Sequence, residues 1–234
     1  MNTFEIEVKS LLGEENKAKE LLDKMAAGDP DFKKTSTNRQ LNHYFEDGDI
    51  NKLVENVSTH LKPEQLEKLK HIIDTGKDFS VRTRQKNEEV LLVVKASVDE
   101  GTSANTVSRL EFEERVEPSL DALDELVKSA GFKCQAKWSR ARDEYKYKGM
   151  TVCLDKNAGY GYLAEFEKVI DLPVEASAQV GDESALASAR AEIDTIMKEL
   201  GVDELPQDRL ERMFSHYNQN WPDYYGTDKV FVIE

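Results

Sequence analysis

The sequence predicts an α+β protein built on an antiparallel β-sheet with helices packed outside it, and two observations predict this class. Charged and apolar residues alternate with a period of two in several short stretches, of which Glu5-Ile6-Glu7-Val8-Lys9 is the first. Successive side chains of a strand point to opposite faces, so Glu5, Glu7 and Lys9 share one face while Phe4, Ile6 and Val8 share the other. The segments with helical spacing, in contrast, carry a single apolar stripe, which suits an outer layer lying on the strands' apolar faces.

After the opening strand, residues 14–25 place Ala18, Leu21, Leu22 and Met25 at helical spacing, and Gly28-Asp29-Pro30 stops the helix. Residues 39–45 read as a strand with Leu41, His43 and Phe45 on one face and Asn42 and Tyr44 on the other, ahead of the turn Glu46-Asp47-Gly48-Asp49. His43 reads as a strand residue with a satisfied ring. Pro63 suits the first turn of a helix to about Ile73, inside a segment that fits an inserted helical hairpin. Residues 79–84 and 90–96 flank a five-residue loop and form a hairpin on which Arg82 and Arg84 share a face and Lys95 closes the return strand. Residues 107–116 give the longest alternation, with Arg109, Glu111, Glu113 and Arg115 set against Leu110, Phe112 and Glu114.

Pro118 opens an amphipathic helix through Leu120, Leu123, Leu126, Val127 and Ala130, which Gly131 ends. Residues 133–147 and 150–155 form a long hairpin around Lys148-Gly149, and a strand over 162–170 follows a glycine-rich turn. That turn is not a nucleotide-binding fingerprint, because no compatible helix follows it. Helices over 183–200 and 207–217 make a C-terminal extension. The loop with Trp221, Tyr224 and Tyr225 is expected to pack over the end of a barrel rather than to stack on a base or ring, and residues 229–233 read as a last short strand.

Composition bounds what this fold does. The chain has 234 residues, 39% hydrophobic and 33% charged, which suits one globular domain over 1–234, with a core over about 3–170 and an extension over 175–234. A formal net charge of -14 opposes binding to nucleic acid and to anionic membranes. No apolar run approaches the roughly 18–20 residues of a membrane span and no signal peptide is evident, so a cytoplasmic location is expected. The 2 cysteines, Cys134 and Cys153, are too few for a disulfide framework or a zinc cluster.

The repeated ionic face must be solvated or enclosed. Glutamates in pairs and arginines in pairs on separate strands are an odd way to build a plain surface, so enclosure around a water-filled interior has the better claim. Such an interior needs compensating ligands. Carboxylates two residues apart on a strand, as in Glu5 with Glu7, Glu111 with Glu113 and Glu165 with Glu167, suit a hard divalent cation such as Mg²⁺ or Mn²⁺. Guanidinium pairs suit the oxygens of an oligophosphate.

The ordered set E-x-E-x-K at Glu5, Glu7 and Lys9, R-x-R at Arg82 and Arg84, Lys95, R-x-E-x-E at Arg109, Glu111 and Glu113, the basic pair Arg140 and Arg142, Asp155, and E-x-E at Glu165 and Glu167 resembles the CYTH superfamily of triphosphate tunnel metalloenzymes. The resemblance implies an eight-stranded antiparallel β-barrel with a charged interior, the triphosphate tunnel. It implies metal binding by Glu5, Glu7, Asp155, Glu165 and Glu167, with Glu111 and Glu113 adding ligands or hydrogen bonds. It implies phosphate binding by Lys9, Arg82, Arg84, Lys95, Arg109, Arg140 and Arg142, of which Lys9, Arg82, Arg84 and Lys95 are the expected catalytic cations. The expected partner is a triphosphate-containing small molecule, and the chain leaves room for a homodimer. The expected activity is metal-dependent triphosphate hydrolysis on inorganic tripolyphosphate or a nucleoside or thiamine triphosphate. The alternatives are a class IV adenylyl cyclase and a non-catalytic nucleotide- or polyphosphate-binding module. The long segment over 49–75 and the extension after Leu172 depart from shorter members, so substrate specificity does not transfer with the motif.

Overall fold

The computed structural model describes residues 2–97, 109–172 and 181–233. In chain order the described elements are β1 (Asn2–Gly13), α1 (Glu15–Gly28), β2 (Lys33–Glu46), α2 (Ile50–Val57), α3 (Pro63–Thr75), β3 (Lys77–Lys86), β4 (Glu89–Ser97), β5 (Arg109–Arg115), α4 (Leu120–Ser129), β6 (Lys133–Tyr147), β7 (Met150–Asn157), β8 (Gly161–Leu172), α5 (Gly181–Leu200) and α6 (Gln207–Asn220). The strands form an eight-stranded sheet in the order β1-β8-β7-β6-β2-β3-β4-β5, as the α+β expectation requires. This hydrogen-bonded order is open, with β1 and β5 at its ends, where a barrel closed by hydrogen bonds would have none.

The chain divides into two compact units. Unit 1 comprises Met1–Thr37, Ala141–Phe214 and Asp228–Glu234, and unit 2 comprises Asn38–Arg140 and Ser215–Thr227.

In unit 1, β8 pairs antiparallel with both β1 and β7, and the register sets Glu7 opposite Glu167 and both Lys9 and Cys153 opposite Glu165. Cross-strand partners share a face, so Glu7, Lys9, Glu165 and Glu167 lie together, while Ile6, Val8, Ala164 and Phe166 fall on the reverse with Lys168, which reaches Glu192 of α5. There Ile6, Val8, Val152, Leu154, Ala164 and Phe166 form one core with Ala18, Leu21 and Met25 of α1 and Ala189, Ile193, Ile196 and Met197 of α5. The i, i+3, i+7 spacing on α1 puts its buried residues on one stripe, and each large side chain so buried contributes roughly 1.5–3 kcal/mol. Gly161 opens β8 at φ +74, and a Cβ there would stand 2.3 Å from the carbonyl oxygen of Gly13, so only glycine lets the β1 and β8 ends approach this closely.

In unit 2, β3 pairs with β2 and β4, and β4 with β5, all antiparallel. Phe45, Val81, Leu92, Val94 and Phe112 fill one face and meet Leu53 and Val57 of α2, Leu69 and Ile72 of α3, and Leu123 and Val127 of α4. The helices start where their caps dictate. The Asp49 carboxylate accepts from the backbone N–H of Asn51 and of Lys52 at the head of α2, the Ser119 hydroxyl accepts from Ala122 at the head of α4, and Pro63 opens α3. The segment over 49–75 is thus a pair of helices covering the sheet of its own unit.

Two elements differ from the sequence reading. β2 begins at Lys33, earlier than the predicted 39, because its first residues are held by polar contacts that carry no hydrophobic alternation. Lys34 Nζ and Thr37 Oγ1 each donate to the Asp143 carboxylate at 2.7 Å, and Thr35 Oγ1 donates to the Glu144 carbonyl at 3.2 Å. The expected strand over 229–233 is reduced to a single parallel bridge from Val230 to Gly159, since its partner is a glycine turn and not a strand.

Candidate functional site

The cations of unit 2 gather on the sheet face opposite its helices. The β2–β3 ladder sets Asn42 opposite Arg84 and Tyr44 opposite Arg82, and the β4–β5 ladder sets Lys95 opposite Glu111. Arg84 is only 9% exposed. Its Nε donates to Asn42 Oδ1 at 2.6 Å, and its Nη1 donates to both oxygens of Glu113, at 2.8 and 2.9 Å. Burial depresses the Arg84 pKa, with Glu113 opposing and the neighbouring Arg140 and Arg82 guanidiniums reinforcing that fall. Arg140 Nε donates to Gln40 Oε1 at 2.9 Å, and Lys95 pairs with Glu111 at 2.9 Å. The Arg82 guanidinium lies 4.6 Å over the Tyr44 ring, and among the described residues its buried Nε has no hydrogen-bond partner. Guanidiniums crowded in this way repel one another, a repulsion that a bound anion would relieve.

The carboxylates gather in unit 1. Asp155 is 0% exposed, and Arg142 grips both its oxygens, from Nε and Nη2, at 2.6 Å each. Arg142 Nη2 also donates to Glu165. Lys9 pairs with Glu7 and stands 3.9 Å from Glu165. Burial alone would lower the Arg142 pKa, but the Asp155 hydrogen bonds and the Glu165 charge outweigh it and raise it above the ordinary value. Burial pushes the Cys153 thiol up to about 12; Arg142 opposes the rise, while Glu165, Asp155 and Glu167 add to it, so all three carboxylates act on one spot. Glu7 and Glu167 lie directly opposite each other on neighbouring strands, an arrangement of like charges that a cation favours.

These positions fit the expected roles in donor chemistry, since oxygen-only carboxylate sets suit Mg²⁺ or Mn²⁺. Among the described residues, however, no group of three or more His, Cys, Asp or Glu side chains is arranged to hold a metal ion, and the carboxylates of Asp155, Glu165 and Glu7 are held by Arg142 and Lys9. Glu111 and Glu113 belong to unit 2, apart in the chain's division from Glu7, Asp155, Glu165 and Glu167 of unit 1, and they act as ion-pair partners of Lys95 and Arg84. The side chains of Glu5 and Arg109 lie outside the described residues; only their backbone positions, opposite Val169 and Ser97, are fixed.

Sequence reasoning missed the amides. Gln40 Nε2 donates to Asn38 Oδ1 at 2.8 Å, and Asn42 and Gln40 accept from Arg84 and Arg140, so the buried Asn38, Gln40 and Asn42 orient the guanidiniums. Their period-two spacing along one strand was the available signal. His43 is a strand residue with a satisfied ring, as expected, and it is buried: its Nδ1 meets Asp124 and its Nε2 meets the Tyr225 hydroxyl, both at 2.7 Å, and Thr83 donates to the other Asp124 oxygen at 2.6 Å. Tyr225 of the aromatic loop is thereby tied to β2 through His43. No described helix is long and apolar enough to cross a membrane.

Residues 63–209 match the family model of the CYTH domain. No curated protein matches the sequence at a significant level. Among solved structures, the PH1819 protein of Pyrococcus horikoshii OT3 is similar with a TM-score of 0.57 and 22% identity, over 91% of this chain and 99% of that one. A candidate adenylate cyclase of Vibrio parahaemolyticus is similar with a TM-score of 0.55 and 15% identity, over 92% and 99% of the two chains. A conserved hypothetical protein of Pyrococcus furiosus gives a TM-score of 0.54 at 20% identity, over 86% and 92%. At such identities these likenesses establish the fold alone.

Proposed function

The chain belongs to the CYTH domain family, and on that premise we propose that it is a metal-dependent hydrolase of a small triphosphate. The single observation that carries this reading is the guanidinium cluster of Arg82, Arg84 and Arg140, in which Arg84 is buried with a depressed pKa and the buried Nε of Arg82 has no partner among the described residues. In the proposed assignment Arg82, Arg84, Arg140 and Lys95 hold phosphate oxygens, with Asn42 and Gln40 fixing two of the guanidiniums. Arg84 is anchored through Nε and Nη1, which leaves its Nη2 for a phosphate oxygen. Glu7, Asp155, Glu165 and Glu167, with Glu5, would hold Mg²⁺ or Mn²⁺, and Lys9 stands among them as a further cation for phosphate. With a divalent ion held there, those carboxylates would gain charge neutralisation and the site a more acidic water. Arg142 holds the Asp155 and Glu165 carboxylates in place from one side. The cations offset the charge that builds on the leaving diphosphate and on the phosphoryl group in transfer.

The test is a panel of tripolyphosphate, ATP, GTP and thiamine triphosphate with Mg²⁺ or Mn²⁺, resolving phosphate, diphosphate and cyclic nucleotide. Release of phosphate from at least one member, abolished by chelator, is the expected result. Cyclic nucleotide with diphosphate would assign a cyclase in its place, and binding without any product would assign a non-catalytic module.

Arg82 gives a sharper check on the cationic cluster. Arg82→Ala is expected to weaken tripolyphosphate binding by roughly 10- to 100-fold, the worth of one charge-assisted hydrogen bond in a partly desolvated site. Folding should change little, since Arg82 rests on Tyr44 and its Nε serves no described partner. An unchanged dissociation constant by calorimetry would remove Arg82 from the site.

A further inference from the structure

Beside the cationic cluster, unit 2 carries an unbroken row of aromatic contacts. Tyr44, under the Arg82 guanidinium, lies 6.0 Å from Trp138. Trp138 is stacked on Tyr217 with ring centroids 3.9 Å apart and planes within 25°, and Tyr217 is stacked on Tyr224 at 5.8 Å. Tyr44 opposes Arg82 in the β2–β3 ladder, so it shares the cations' face, and Trp138 precedes Arg140 by two positions on β6, which gives it the same face by strand alternation.

A substrate whose phosphates sit on Arg82, Arg84 and Arg140 would bring its non-phosphate end against such rings, and stacking on an aromatic ring raises affinity for a nucleobase by roughly 5- to 150-fold. Here one face of Trp138 is already taken by Tyr217. Tyr217 is 0% exposed, its hydroxyl donates to the Lys137 carbonyl at 3.0 Å, and its ring lies nearly flat on Trp138. The segment that follows Tyr217 is pinned. Tyr225 is bonded to the buried His43, which Asp124 holds from its other side, and the Gly226 N–H donates to Ser139 Oγ at 2.8 Å. The rings are thus fixed from several directions and do not form a loose flap awaiting a base.

We propose that Trp138, Tyr217 and Tyr224 form a specificity filter: they consume the stacking surface next to the phosphate-binding cations, so the site takes a bare oligophosphate of the inorganic tripolyphosphate class and rejects nucleoside triphosphates. Tyr217 is the residue that determines this choice. The inference rests on the reading of the guanidinium cluster as a phosphate site, and binding is measured apart from turnover so that the two can fail separately.

Calorimetric titration of the full chain with tripolyphosphate and with ATP, in chelator to prevent turnover, is expected to show tripolyphosphate bound at least about tenfold tighter. Tyr217→Leu is expected to tighten ATP about tenfold and to leave tripolyphosphate within about threefold. Of the 2 tryptophans, Trp221→Phe leaves Trp138 as the sole reporter, and ATP should then change its fluorescence no more than tripolyphosphate does. ATP binding to the wild-type protein as tightly as tripolyphosphate, or quenching Trp138 selectively, would overturn the filter even if Tyr217→Leu fails to fold. Selective tripolyphosphate binding without hydrolysis in added Mg²⁺ supports the filter and overturns the hydrolase reading. Hydrolysis with equal affinities does the reverse, and binding of neither ligand overturns both.

Discussion

Glu7→Gln is expected to lower triphosphate turnover by more than about 100-fold, while the thermal unfolding midpoint hardly moves. Gln keeps the size of the side chain and removes the negative charge that a hard divalent cation selects. Glu7 stands opposite Glu167 and pairs with Lys9, and both partners of that pair remain close to 30% exposed, at 28% for Lys9 and 30% for Glu7. An ion pair with that much solvent contact is worth roughly 0–1 kcal/mol, so losing it cannot explain a large loss of activity through unfolding. Steady-state kinetics with Mg²⁺ and Mn²⁺, alongside calorimetric unfolding, separates the two effects. Turnover within about tenfold of wild type would take Glu7 out of the proposed metal site.

Arg142→Ala carries the opposite signature, a large effect on stability before any on chemistry. Arg142 binds both oxygens of Asp155, which is 0% exposed, and also reaches Glu165, which is 8% exposed. Removing one partner of a buried ion pair leaves the other charge uncompensated, at a cost of roughly 3–5 kcal/mol. For a chain of this size that lowers the unfolding midpoint by roughly 6–20 °C. Arg142→Lys should recover part of the loss, because one ammonium replaces the charge but not the two-pronged grip on Asp155. A midpoint within about 2 °C of wild type for the alanine variant would contradict the buried pairing.

The ionic face was legible in the sequence because strand geometry turns a period of two into a face, and Glu7 with Lys9, Arg82 with Arg84, and Glu111 with Glu113 needed no more than that. What each charge confronts was not legible. Arg84 meets Glu113 across β4, and Arg142 meets Asp155 and Glu165, through ladders whose register depends on strand order. Asn38, Gln40 and Asn42 were overlooked because neutral amides leave no trace in a charge pattern, although burial makes them obligatory hydrogen-bonding groups. The start of β2 was hidden for a related reason, since Lys34, Thr35 and Thr37 are held by polar bonds to residues more than a hundred positions away. His43 was read as a satisfied strand residue, and Asp124 and Tyr225 could be named as its partners only once α4 and the C-terminal segment were placed.

The backbone N–H of Leu205 donates to the carbonyl of Lys9 at 2.7 Å, on the strand that ends the sheet order. A terminal strand with unmet carbonyls is a template on which a second chain can add, and long exposed edges are where β-proteins aggregate. The connection between α5 and α6 blunts that template with one main-chain bond at the middle of β1, and the buried Leu205 side chain keeps the connection seated there. That connection therefore shields an edge in addition to joining two helices, and a chain cut before residue 200 is expected to present β1 as an uncovered edge.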